Sequence, residues 1–134
     1  MSARSAGVLD TSVLIGLEAG RQVDVASFPD VLLTTVITQA EIEVGVLSAP
    51  DVEARSERLA TLEKLRGMPV IPVTADAAHH WARLRVFLAE KGRRMEINDL
   101  WIAAIATANE LPIVTQDADF DALDGVPGVT VIRV

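Results

Sequence analysis

The stretch Val8-Leu9-Asp10-Thr11-Ser12-Val13-Leu14-Ile15 decides how this chain is read. Val8 and Leu9 make a short apolar entry that stops at an acid followed by two hydroxyl residues. Val13, Leu14 and Leu17 then recur at the spacing of a helix. Strand, acid and helix follow one another with almost no loop, which is how a βα unit begins. The pattern returns downstream. Val31 to Val36 is β-branched and apolar, Thr38 opens a helix running to about Leu47, and Ser48-Ala49-Pro50 closes it.

Further out, Asp51 to Arg66 carries Val52, Leu59, Leu62 and Leu65 as one stripe between charged neighbours, a helix ended by Gly67. Val70 to Val73 is strand-like despite Pro72. Thr74 and Asp76 can cap the next helix, whose Trp81, Leu84 and Leu88 face inward and which ends at Lys91-Gly92. From Leu100 to Ala108 nearly every residue is apolar or small, so this helix is expected to be covered on most of its circumference. Pro112 to Thr115 reads as a buried strand, Asp119 to Leu123 as a turn of helix, and Val129 to Val134 as a last strand after the Gly125-Val126-Pro127-Gly128 turn. Alternating strands and helices predict right-handed crossovers and an α/β fold of three layers, α/β/α, with a central, mainly parallel sheet.

The 134 residues predict one domain, 1–134, with an aliphatic core, since 50% of the chain is hydrophobic and only 4% aromatic. No apolar run is long enough to span a bilayer, and a cytoplasmic location is expected. Without cysteine there is no disulfide, thiolate metal site or cysteine nucleophile, so any metal must sit on oxygen or imidazole. A formal net charge of −7 argues against a broad nucleic-acid surface. That objection weakens if some of the acids serve to hold cations.

In an open parallel sheet, function gathers outside the carboxyl ends of the strands. Asp10 follows the first strand directly and Asp117 follows the Pro112–Thr115 strand by two residues. Glu41 lies about one turn into the second helix, and Asp99 lies in the first turn of the apolar helix after Asn98. Each has a plainer reading. Asp10 can be a helix N-cap, Asp99 a complement to the helix dipole with Asn98 as the cap, and Asp117, Asp119 and Asp121 a solvated capping turn. Glu41 alone is uninformative beside Glu43. Taken together, four acids from four distant segments can meet on one rim, where like charges repel unless a cation holds them. Mg²⁺ or Mn²⁺, one or two ions, fits such oxygen ligands and points to phosphoryl chemistry.

Four stretches, in order and spread over nearly the whole chain, resemble the PIN-domain endoribonucleases and in particular the VapC toxins of toxin–antitoxin pairs. They are Val8 to Ile15, Thr38-Gln39-Ala40-Glu41-Ile42-Glu43-Val44-Gly45, Asn98-Asp99-Leu100-Trp101-Ile102-Ala103-Ala104-Ile105-Ala106, and Ile113-Val114-Thr115-Gln116-Asp117-Ala118-Asp119-Phe120. The resemblance implies an RNA substrate, metal-dependent cleavage leaving 5′-phosphate and 3′-hydroxyl ends, a homodimer, and restraint by a VapB-type antitoxin, with DNA reached only through that antitoxin. It also implies that Asp10, Glu41, Asp99 and Asp117 are the catalytic and metal-binding acids, with Asp119 as a further ligand. Thr115 matches a hydroxyl residue beside them, and Thr11, Ser12 and Asn98 are expected to support the site. The family uses helices in the region of Leu59, Leu62 and Leu65 for antitoxin and dimer contacts.

Lys91, Arg93 and Arg94 precede the Asp99 helix and can border the acidic rim as phosphate contacts, or simply complement a helix C-terminus. Arg55, Arg58, Lys64 and Arg66 alternate with acids on the third helix and read as a solvated face. His79 and His80 suggest an imidazole acid–base pair, but adjacent helical residues diverge by about 100° and cannot easily converge on one phosphate. Trp81 and Trp101 are expected to pack in the core. A phospho-receiver domain would need a Lys after a late strand, and no Lys follows Lys91. A catalytically silent PIN fold that only binds its partner is the alternative, against which the intact acids count.

Overall fold

The computed structural model describes residues 4–134. Five strands, β1 (Ala6–Leu9), β2 (Val31–Thr35), β3 (Val70–Ile71), β4 (Ile113–Thr115) and β5 (Val131–Arg133), form one parallel sheet in the order β3-β2-β1-β4-β5. Five helices connect them: α1 (Thr11–Glu18), α2 (Val36–Leu47), α3 (Val52–Arg66), α4 (Ala75–Glu90) and α5 (Ile97–Ala108).

β1 occupies the middle, and its period-2 alternation divides the core into two layers. Val8 packs with its β4 partner Ile113 among Leu84, Leu88, Ile102 and Ile105 of α4 and α5. Leu9 and its partner Val114 point the other way, among Val13 and Leu14 of α1, Ile42 of α2, and Leu62 and Leu65 of α3. Gly7 permits this close packing, because a Cβ there would come within 2.8 Å of Pro29 Cγ and 3.0 Å of Val114 Cγ2. The next residue after β1 is Asp10, which the sheet therefore delivers to its carboxyl edge between α1 and β4. α5 is buried along Ile102 to Thr107, as its composition requires.

Several boundaries differ from the sequence reading. α2 starts at Val36, not Thr38, because the buried Thr35 hydroxyl caps it by accepting from the Thr38 N–H at 3.2 Å. β3 stops at Ile71 because Pro72 has no N–H for the ladder. Thr74 alone caps α4, accepting from the Ala77 N–H, while Asp76 lies in its first turn. β5 is confined to Val131–Arg133. In α3 only Leu62 and Leu65 of the apolar stripe are buried; Leu59 is 45% and Val52 85% exposed. Trp81 and Trp101 are half-buried and stack on each other with ring centroids 5.3 Å apart, joining α4 to α5 at the edge of the core.

Candidate active site

Asp10 leaves β1 in an extended conformation and occupies the N-cap position of α1, but its side chain makes no capping hydrogen bond. Its carboxylate turns toward β4 instead. Ser12 Oγ donates to Asp10 Oδ2 at 2.6 Å and Thr115 Oγ1 donates to the same oxygen at 2.8 Å. The two hydroxyls are themselves fixed by backbone N–H groups, Ser12 accepting from Gln116 at 3.1 Å and Thr115 from Asp117 at 2.9 Å. The capping reading of Asp10 thus holds for its backbone only. The residue is 1% exposed, and Oδ1 is buried with no hydrogen-bond partner. Burial pushes its pKa above the ordinary carboxylate range, offset in part by the hydrogen bonds from Ser12 and Thr115.

Glu41 faces the same edge from α2. Thr11 Oγ1 donates to Glu41 Oε1 at 2.8 Å and lies 3.0 Å from the hydroxyl of the buried Thr38. Asp117 caps the 3-10 turn Ala118–Leu123, its Oδ1 accepting from the Asp119 N–H at 2.8 Å. That turn swings Asp119 back beside it. Carboxylate oxygens of Asp99, Asp117 and Asp119 lie within 4.8 Å of one another. Asp121 does not join them; it pairs on the surface with Arg133 at 3.3 Å.

Asp99 is where the separate segments meet. Its pKa is pushed up to about 7, first by burial and then by the charges of Asp10, Glu96, Asp117 and Glu41. A carboxylate placed only to complement a helix dipole would be drawn the other way, since a positive helix N-terminus favours the ionised form. Asp99, Asp117 and Asp119 thus share one small space, and Asp10 and Glu41 lie near enough for their charges to act on Asp99.

One cap differs from expectation here, and one basic residue is added. The N-cap of α5 is Glu96, not Asn98: Glu96 Oε2 accepts from the Asp99 N–H at 3.1 Å and adds a further acid to the rim. Lys91 Nζ lies over the Phe87 ring, 4.5 Å from the centroid, and Lys91 does not line the cavity that Arg93 and Arg94 border. A residue the sequence reading passed over, Arg85, lines a cavity with Arg93 and Arg94 instead. Glu is a weak N-cap former, which is why Glu96 carried no signal. His80 lies with Asp76 and Arg83 around a separate cavity that reaches Pro112, before β4, and so away from the strand ends that hold the acids.

The buried, unpartnered Oδ1 of Asp10 beside three clustered carboxylates fits a divalent cation. An orphaned carboxylate oxygen costs on the order of 1–3 kcal/mol or more, and packed like charges add to it. Hard oxygen donors of this kind suit Mg²⁺ or Mn²⁺.

Residues 7–126 match the family model of the PIN domain. Ribonuclease VapC5 of Mycobacterium tuberculosis is 58% identical over 130 residues, covering 97% of this chain and 96% of that protein. Ribonuclease VapC4 of the same organism is 37% identical over 123 residues, 91% of this chain and 94% of that one. The crystal structure of VapBC-5, a member of the VapBC family of toxin–antitoxin systems from M. tuberculosis, superposes with a TM-score of 0.91 at 56% identity, over 97% of this chain and 99% of that chain. VapBC2 from Rickettsia felis, bound to a DNA fragment from their promoter, shares the fold at 20% identity, with a TM-score of 0.78 over 96% of this chain and 98% of that one. By family model and by identity alike, the chain belongs to the PIN-domain family, among the VapC ribonucleases.

Proposed function

We propose that this chain, acting as one domain over 1–134, is a Mg²⁺- or Mn²⁺-dependent endoribonuclease and the toxin of a toxin–antitoxin pair. The observation that carries the reading is Asp10, a buried carboxylate with one oxygen held by two hydroxyls and the other left without a partner, beside Asp99, Asp117 and Asp119. Asp10, Asp99 and Asp117 would hold the metal, with Glu41 and Asp119 completing the acidic rim. When bound, the cation supplies an acidified water as nucleophile and positive charge for the leaving 3′ oxygen. Ser12 and Thr115 fix the Asp10 carboxylate, and Thr11 fixes Glu41, so that the acids are held before substrate arrives. Asp99, whose pKa lies near neutrality, holds a proton on its carboxylate for much of the time without metal, and loading the site would release it.

The same reading supplies a partner. Ile15, Val44, Leu47, Val52 and Leu59 stand exposed on α1, α2 and α3, and the same three helices line a cavity of about 300 Å³ through Ile15, Glu18, Glu41, Ile42 and Arg58. This face is proposed to take the VapB-type antitoxin, through which DNA would be contacted, and the toxin itself is proposed to be a cytoplasmic homodimer. Among the described residues no helix is long and apolar enough to cross a membrane.

RNA cleavage by the purified chain should require Mg²⁺ or Mn²⁺, stop in EDTA, and leave 5′-phosphate ends. Asp10→Asn and Asp99→Asn should each abolish it while the far-ultraviolet circular dichroism spectrum is unchanged. Cleavage that persists in EDTA, or products with 2′,3′-cyclic phosphate, would exclude the metal-activated water.

A further inference from the structure

The end of α4 and the start of α5 enclose a cavity of about 340 Å³ that the acid site does not use. Its floor is apolar, made by the buried side chains of Leu88, Met95 and Leu100, and its walls carry Arg85, Arg93 and Arg94. We propose that this cavity is a nucleotide subsite for the RNA strand, in which the three arginines hold phosphate and the apolar floor receives a base or ribose, next to the carboxylates that act on the scissile bond. The proposal rests on the ribonuclease reading and names how that substrate is held.

The arginines are positioned by the fold. Gly92, at φ +64°, ends α4 in the left-handed region. The Arg93 N–H then bonds to the Leu88 carbonyl at 2.9 Å and the Gly92 N–H to the Ala89 carbonyl at 3.0 Å, the paired closure of a Schellman turn. This fixes where Arg93 and Arg94 leave the helix. Arg85 lies one turn before Ala89 on the same face, and so meets them across the cavity.

The three guanidinium groups are also uncommitted. Among the described residues, the arginine side chains that make hydrogen bonds are those of Arg58, Arg83 and Arg133, and the arginine in an ion pair is Arg133. Complementing the negative end of α4 would explain Arg93 and Arg94 but not Arg85, which stands inside the helix. Arg21, Arg55 and Arg66 are equally without partners among the described residues but are scattered, whereas three arginines converging on one cavity in a chain of net charge −7 make a site for an anionic ligand. Two features favour RNA over an acidic peptide. Planar guanidinium forks bind phosphate bidentately and stack on bases, and the cavity is continuous in sequence with the acid rim. Met95 and Leu100 line it, while Glu96 and Asp99, lying between them, face the acids. A polyanionic strand brought to that rim needs a cationic hold beside it.

The test measures fluorescence anisotropy of a single-stranded RNA of about 12 nucleotides on full-length Asp99→Asn protein, in EDTA, so that binding is read without cleavage. Adding Arg85→Ala, Arg93→Ala and Arg94→Ala together should weaken binding at least about tenfold and flatten the log–log salt slope by about 0.7 for each phosphate no longer held. Arg85→Lys should keep the salt slope but not the full affinity, because charge is retained and the planar fork is not. Unchanged affinity and slope in the triple variant would overturn the subsite. So would inorganic polyphosphate or a poly-aspartate peptide of matched charge competing as well as RNA, since either marks an unselective anion site. The underlying reading is tested separately by metal-dependent cleavage in the wild-type chain. Its loss with arginine-dependent RNA binding intact would remove the nuclease and leave the subsite.

Discussion

Asp99 is pulled in two directions, held ionised by the helix start it sits on and driven toward its protonated form by burial and four neighbouring acids. The second pull wins, with a pKa of about 7. The folded state therefore binds a proton that the unfolded chain releases at about 3.9. With the folded pKa raised, the stabilising effect of protonation is complete below the unfolded value and is lost as pH rises through 7. Thermal melts of the metal-free protein should accordingly show Tm falling between about pH 4 and 7, from this group and from Asp10, whose shift has the same direction. Saturating Mn²⁺ should raise Tm at pH 7.5 and flatten that fall, because a cation bound only by the folded state supplies the missing charge. A Tm that rises across this range without metal would remove the crowded-acid account. Thr115 offers a second test. Its buried hydroxyl donates to Asp10 and accepts from the Asp117 N–H, so Thr115→Val should cost about 1–3 kcal/mol in urea unfolding and weaken Mn²⁺ binding roughly 10- to 100-fold. At this scale the sequence was informative about acids at strand ends, because topology alone delivers them to one edge. It was silent on Glu96 and Thr38, which reach the site through a cap and a side-chain pair that no periodicity encodes.

Among the elements, placement was legible and boundaries were not, for local reasons. Parallel strands, the central apolar helix and the crossover pattern all follow from apolar runs and their spacing. Where helices begin is decided by single hydrogen bonds, as at Thr35, which moves α2 two residues earlier, and at Glu96, which moves α5 ahead of Asn98. The stripe on α3 is core only in part, as its mixed setting suggests: Leu62 and Leu65 are buried while Leu59 and Val52 stand exposed, a division that amphipathic spacing alone does not draw. Glu96 ties element to site. Replacing it with Ala should change stability little, since Glu is a weak cap and its loss also relieves repulsion with Asp99. The same change should lower the Asp99 pKa, since the Glu96 charge is one of its causes. Carboxyl titration by NMR would check the second effect, and an unmoved Asp99 would mean that burial and the other three acids set it without Glu96.

For the molecule as a whole, an acidic protein that handles RNA is consistent once its surfaces are separated. The acids gather on one rim, Arg85, Arg93 and Arg94 stand on the adjoining cavity, and the most exposed large apolar side chains, Val52 and Leu47, with Val44, lie on α2 and α3. That last surface is costly for a free chain, with Leu47 80% and Val44 62% exposed. It is the surface expected to disappear beneath the antitoxin. Covering a side chain such as Leu47 is worth about 1.5–3 kcal/mol, which is roughly a 10- to 100-fold change in affinity. Leu47→Asp should therefore weaken binding of the VapB-type antitoxin by at least that factor in isothermal calorimetry. The cost should be felt in the complex alone, because the side chain contributes little to the fold in the free protein. RNA cleavage by the free variant should match the wild type, and its cleavage in the presence of antitoxin should be restrained less. Equal antitoxin affinity in Leu47→Asp and wild type would move the docking face away from α2, leaving the acid rim and the arginine cavity as they stand.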